Sequence, residues 1–372
     1  MNPLIDVDVH VRWESDEELL PYLPKTWHQR WLTARGGHSA RGLLIQPKFF
    51  DPGEPYPSAH PYIPGLTTVN PAAAPDPATL SRDWLDRHGI EAAVASCHDA
   101  PLIATYADVD YPLEVARAVN RWLADKFLDA DPRLHGSITV ATQDPEEAAK
   151  EIRRAAAHSR MVQVLLPAGA RMPYGHRYYR PIFEAAQECG LAIAIPAGTE
   201  GLGTSNPPTP SGWPSTAAEM CVARASTFIA HLTSLVTEGT FVTYPNLTVI
   251  GLEAGVAWLP PYLWRFDKNW KALRSECPWL REPPSEMVCR HFRFGTAGIV
   301  PVEPAAEFWR LMESVPGGAA LPIYASNFPR WDMESPEESF VLRTAPAEAL
   351  TSIRAGGARA AYPRLAISAV AA

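Results

Sequence analysis

The first residues with chemical potential lie in Ile5-Asp6-Val7-Asp8-Val9-His10. Alternate residues of a β-strand share one face, so Asp8 and His10 would point the same way. A carboxylate and an imidazole converging at a strand end suit a divalent metal or an acid–base pair. The competing reading is an ion pair that closes the strand end, although two polar groups buried without a partner are costly. Asp6, deeper on the same face, reads as structural. Three further candidates follow other apolar runs. His98, with Asp99, comes after residues 92–97, His176 after residues 161–167, and Glu253 closes residues 248–253. A lone histidine after a strand is more often a hydrogen-bonded loop residue, which is the plain alternative for His98, His176 and the helix-borne His231.

Such groups need elements that bring them to one place. Short apolar runs at 4–10, 92–97, 135–140, 161–167, 192–196, 248–253, 292–296 and 322–326 read as strands. Helical patterns separate them. Residues 112–128, for example, carry Leu113, Ala116, Val119, Leu123 and Phe127 at helical spacing. Strand and helix alternating in this way imply a parallel sheet with crossovers. Eight such units predict one (β/α)8 TIM barrel spanning 1–372, with an open doubly wound sheet as the alternative. Barrel chemistry sits at the C-terminal strand ends. Those ends carry Asp8, His10, His98, Glu253 and Asn327. No GxGxxG turn follows a strand, which argues against a dinucleotide site.

Composition narrows the class. Of 372 residues, 47% are hydrophobic and 20% charged, enough for a large core. The net charge of -8 and the lack of a basic stripe argue against nucleic acid as a partner. No uninterrupted apolar run of about 18 residues suggests a membrane partner. Five scattered cysteines with no CxxC pair fit reduced thiols of a cytoplasmic protein. Proline is in excess at 38 residues, against a usual ~5%. Many prolines crowd residues 46–77. That stretch therefore reads as a long ordered loop within a lid-like, Pro-rich insertion after the first strand, residues 11–80, with Phe49, Phe50, Tyr56 and Tyr62 near the mouth; a packed surface excursion is the alternative.

The opening strand resembles that of the amidohydrolase superfamily, in its amidohydrolase-related (amidohydrolase 2) group of aromatic-acid decarboxylases and small-molecule hydrolases. Residues 131–152, 162–191 and 231–270 are similar to later units of that family. Ala-Ser-Asn-Phe-Pro-Arg-Trp-Asp at 325–332 resembles its eighth-strand ending, usually Ser-Asp-Tyr-Pro-His-Trp-Asp. The resemblance runs in order along nearly the whole chain. It implies metal ligands at Asp8 and His10, a histidine ending strand five and an aspartate ending strand eight. Here Pro196 and Asn327 stand in the last two places, and Arg330 replaces a usual histidine. Proline cannot ligate, and a neutral amide oxygen is a weak ligand for zinc. The chain therefore resembles a divergent member with an altered metal site.

The resemblance implies hydrolysis or non-oxidative decarboxylation of a small anionic or aromatic metabolite, with His10, Asp8, Glu253 and His98 as catalytic candidates. Arg330, Asn327 and His176 are candidates for substrate binding. Arg330 would anchor a substrate carboxylate, unless it pairs with Asp332 or Glu334 on the surface. One divalent metal, zinc or similar, is expected at Asp8 and His10, with a metal-free site as the alternative. The alternatives in function are a metal-independent lyase, isomerase or cyclase of specialised metabolism, and a ligand-binding pseudoenzyme. The partner expected is a small-molecule substrate, with a homodimer left open.

Overall fold

The computed structural model describes residues 3–33, 75–330 and 332–365. Residues 34–74 lie outside them, and with them most of the expected lid, including Phe49, Phe50, Tyr56 and Tyr62. Eight parallel strands follow one another around a single sheet: β1 (Ile5–Val11), β2 (Ala92–Cys97), β3 (Leu134–Thr139), β4 (Met161–Leu165), β5 (Ala192–Pro196), β6 (Val249–Leu252), β7 (Phe292–Gly295) and β8 (Pro322–Ile323). β8 is only two residues long, but the chain beyond it continues against β1. Val7 N–H donates to Tyr324 O (3.0 Å) and Asn327 N–H to Asp8 O (3.0 Å), closing the expected (β/α)8 TIM barrel.

The strands are buried on both sides, as parallel strands covered by crossover helices must be. One face packs on the helices. The other faces the interior, where Ile5, Val7, Val94, Ala194, Ile250, Leu252 and Ile323 meet the C-terminal residues Ala358, Ala361 and Tyr362. Local sequence explains the helix starts. At Pro145–Ala155, Asp144 accepts from the Glu146 and Glu147 N–H groups (3.1 Å each), and proline fills the first turn. Thr216 and Glu219 form a capping box at Ala217–Thr237.

Within the expected insertion, Asp16–Tyr22 and Lys25–Thr33 are helical. They are pinned by Trp13, whose ring lies 5.6 Å from Trp31 and 5.9 Å from Trp122. Pro284–His291 is a helix that opens on proline, which is tolerated there because a first-turn N–H needs no helical partner. No run of 18 uninterrupted apolar residues occurs, but residues Ala218–Thr237 are long and apolar enough by composition to cross a membrane. Here the helix is the β5–β6 crossover, and Phe228, Leu232, Leu235 and Val236 join the core.

Candidate active site at the barrel mouth

The pairing of β1 with β2 slips between Asp6 and Val9. A bulge of this kind re-aims the side chains beyond it. Asp6 consequently does not share the face of Asp8 and His10. It looks toward the helix layer, where Trp84 Nε1–H donates to it (3.0 Å), and it also accepts the N–H groups of Ser326 (2.9 Å) and Asp8 (3.2 Å). Its structural role is as expected, but by another route. Asp8 and His10 point inward, to the mouth.

Glu253 follows β6 and Asn327 follows β8. Both hold left-handed backbone (φ 56° and 61°), which costs about 1 kcal/mol or more for a residue with a side chain. Asp8, His10 and Glu253 are buried and offer ligand atoms within 4.8 Å of one another. His10 Nε2 lies 3.5 Å from Asp8 Oδ1 and 2.7 Å from Asn327 Oδ1. The Asn327 amide donates through Nδ2 to Asp332 Oδ1 (2.7 Å).

Arg330 is buried, and both readings of it find a partner: Nη1 donates to Glu253 Oε1 at 2.8 Å, and Nε forms an ion pair with Asp332 at 3.6 Å. A second cation, Arg224 of the β5–β6 crossover helix, donates to Glu253 Oε2 at 3.1 Å and lies 3.8 Å from Asp332. The sequence reading did not single out Arg224. Its signal was a lone cation within a helical stretch of otherwise small and apolar residues.

Several buried atoms here have no hydrogen-bond partner among the described residues. They are both Asp8 carboxylate oxygens, His10 Nδ1, and Arg330 Nε and Nη2. Native proteins rarely leave such groups orphaned unless something else satisfies them. Burial, and then the charges of Glu253 and Asp6, hold the Asp8 carboxyl well above its usual range, although Arg330 opposes them. Burial, and then the Arg330 charge, press His10 down to about 3, so its ring is neutral at physiological pH. A neutral imidazole and two carboxylates are a sound donor set for one divalent cation with positions left for substrate and water. Each Glu253 oxygen retains a second lone pair beside its guanidinium. Pro196 contributes no donor. Asn327 brings only an amide oxygen.

The other candidates separate. His98 is half-buried, with its ring 5.4 Å from that of His10 and perpendicular to it. It lines a cleft with His10, Arg12, Pro329 and Arg330. Asp99 is taken by Arg12 (2.9 Å). His176, expected to bind substrate, is an exposed cap whose Nδ1 accepts from Tyr178 N–H (3.2 Å). The need to cap the Arg177–Tyr179 turn accounts for it. His231 is structural: Nδ1 accepts from Tyr174 N–H (3.1 Å), Nε2 lies 2.7 Å from Ala168 O, and the ring stacks on Tyr174.

The sequence profile of a family described as amidohydrolase matches residues 7–364. Two curated relatives are gamma-resorcylate decarboxylases. The one from Polaromonas sp. (strain JS666) is 27% identical over 49% of this chain and 57% of its own. The one from Rhodococcus jostii (strain RHA1) is 24% identical over 54% and 60%. The chain thus matches less than two thirds of the length of either. Solved structures share the fold. The 5-carboxyvanillate decarboxylase of Sphingomonas paucimobilis superposes with a TM-score of 0.63 at 20% identity, over 98% of this chain and 99% of its own. A dihydroxybenzoic acid decarboxylase from Polaromonas sp. JS666, solved with manganese and the inhibitor 2-nitroresorcinol, gives 0.62 at 19% identity, over 96% of each chain.

Proposed function

The chain belongs to the amidohydrolase family, and on that premise we propose that it is a lyase that removes carbon dioxide, without oxidation, from a small anionic aromatic acid. The observation that carries this reading is the meeting of two unsatisfied edges in one buried place. Among the described residues, Asp8 and His10 present acceptors with no hydrogen-bond partner, and Arg330 presents the donor Nη2 likewise, with Nε 3.6 Å from Asp332. The decarboxylases named above support the reaction class.

Asp8, His10 and Glu253 would hold one divalent cation. A donor set this rich in oxygen suits manganese better than zinc. When bound, such a cation supplies Lewis-acid polarisation of the substrate oxygens. Arg330 supplies the planar fork that fits a carboxylate, and its bond to Glu253 fixes the direction of that fork. Asn327 holds His10 from the side, and His98 forms a wall of the cleft.

The test is a panel of 2,6-dihydroxybenzoate, 5-carboxyvanillate and salicylate, assayed for carbon dioxide release with manganese present, beside a panel of esters, lactones and amides. Carbon dioxide from a hydroxylated benzoate is the expected result. Turnover of the second panel alone would overturn the reading in favour of hydrolysis. A second reading, a metal-independent lyase, isomerase or cyclase, draws on Arg330 lying among the donors and on Pro196. Elemental analysis of protein purified without chelator separates the two, with about one equivalent of metal expected for the first.

A further inference from the structure

A second guanidinium borders the cleft, and the reaction proposed above does not employ it. Arg12 lies just past β1, two residues after His10, and lines the cleft with His10, His98 and Arg330. At a strand rise of roughly 3.3 Å per residue, its Cα lies about 6–7 Å beyond that of His10. Buried Asp99, just after β2, fixes its direction. Nε donates to that carboxylate at 3.3 Å, and Nη2 donates to its two oxygens at 3.1 and 2.9 Å. These bonds occupy one edge of the guanidinium. Nη1 makes no hydrogen bond to a described residue.

Arg330 is held in the same manner. Glu253 takes its Nη1, and Nη2 has no hydrogen-bond partner among the described residues. Each cation is thus pinned by a buried carboxylate while one end stays open, and both border one cleft. A largely buried ion pair contributes little net stability, because desolvation offsets the attraction. Structure alone is therefore a weak reason for an arginine at position 12. A guanidinium already fixed by Asp99 has given up its rotamer freedom, so an anion that meets it loses little affinity to ordering. Beyond Arg12 lies a second cavity of about 360 Å³, which Arg12 also lines. Glu14, Glu18 and Asp76 are on its walls, with Lys126 as the opposing charge. Space past Arg12 is ample, but like charge makes it a poor place for an anion.

Resting on the decarboxylase reading, we propose that Arg12 determines specificity by seating a second anionic group, so that the substrate is an aromatic acid with two carboxylates. Arg330 meets one carboxylate and the open Nη1 end of Arg12 meets the other. Only one leaves as carbon dioxide. The second stays on the product and keeps the ring in place while the bond breaks. It is attached directly to the ring, because a longer acidic arm would carry its charge toward Glu14, Glu18 and Asp76. Asp99 is a positioning residue: it never touches the substrate, and it holds the Arg12 fork toward the cleft.

Two ligands that differ in one charge test this: 5-carboxysalicylate and its 5-methyl ester. Each is assayed for carbon dioxide release by the full chain with manganese, and its binding is measured by calorimetry. Wild type should bind the diacid about tenfold or more tightly than the ester, as expected for one charged hydrogen bond, and kcat/KM should show the same preference. In Arg12→Met the preference should fall below about threefold, through KM rather than kcat. That variant leaves Asp99 buried without its partner, so Arg12→Met is also combined with Asp99→Asn. Arg12→Lys, a point charge without the fork, should keep part of the preference. A preference of about threefold or more that survives in both Arg12→Met proteins overturns the proposal. So does a wild type that binds the diacid no better than the ester, a result that needs no variant to fold. Tighter binding of 5-carboxymethylsalicylate than of 5-carboxysalicylate would place the anion beyond Arg12 and overturn it too. If neither ligand releases carbon dioxide, nor any acid of the earlier panel, the decarboxylase reading falls, while the binding ratio still decides on Arg12.

Discussion

Two buried polar clusters occupy this barrel, and they are built on opposite rules. In the interior, Ser96 Oγ meets Ser137 Oγ at 2.8 Å, Gln163 Nε2–H donates to Ser137 (2.7 Å), and Tyr362 OH donates to Gln163 Oε1 (2.8 Å). Each of these groups has a partner, and the chain they form links β2, β3, β4 and the C-terminal cover. At the mouth, Asp8, His10 and Arg330 keep atoms with no hydrogen-bond partner among the described residues. A satisfied buried network rigidifies a fold, whereas an unsatisfied one costs stability unless something else completes it. Polarity alone therefore does not mark a site; several unpartnered donors and acceptors gathered in one place do, whereas those of His135, Trp270 and Arg293 are scattered.

The comparison breaks if substitutions in the two clusters have the same effect. The largest contrast is expected at Asp8. Asp8→Asn should lower kcat/KM by about 10²–10⁴-fold, as for loss of a central catalytic group. The metal-free variant should nevertheless be more stable than wild type at alkaline pH. The Asp8 carboxyl is raised in the folded state above its usual 3.8, so folding favours the protonated acid. Wild type should therefore lose stability as pH rises from about 4 through the folded value, while the variant does not. Thermal melts at pH 4 and pH 8 check this; a gap that fails to widen toward alkaline pH would refute it.

Next in size, Arg330→Met should raise KM for an anionic substrate tenfold or more, since a charged hydrogen bond contributes about 1.5–3 kcal/mol. An unchanged KM would remove Arg330 from substrate binding. In the satisfied cluster the signs reverse. Tyr362→Phe should cost about 1–3 kcal/mol in denaturant unfolding, because it orphans Gln163 Oε1, and should leave kcat within twofold. Smallest of all, His176→Ala removes an exposed cap. It should cost at most about 1 kcal/mol in stability and leave KM where it was; a shift in KM would return His176 to the site.

The barrel was legible because its strands are short apolar runs with sharp ends. The limits read for β2 and β5 coincide with the observed Ala92–Cys97 and Ala192–Pro196. The mouth was legible where a residue type is out of place on a strand end, as with Asp8, His10 and Glu253. What failed was geometry that leaves no trace in composition. The β1 bulge shifts Asp6 to the other face without any glycine to announce it. Arg224 enters from a helix, where a charge normally means a solvated face.

The Asp6 carboxylate ties Asp8 N–H, Ser326 N–H and Trp84 Nε1–H together across the seam where β8 runs out after two residues. The ring of Trp84 also lies flat on Phe328, with centroids 4.3 Å apart. A circular sheet is expected to open first where its ladder is shortest. In this barrel that seam also carries Asp8 on one side and Asn327 and Arg330 on the other. Partial opening would thus dismantle the pocket while most of the ladder stayed intact. In amide hydrogen exchange, Val7, Asn327 and His10 should lose protection together, ahead of the β2–β6 amides. The enzyme should be inactivated by heat or denaturant before its bulk helical signal changes.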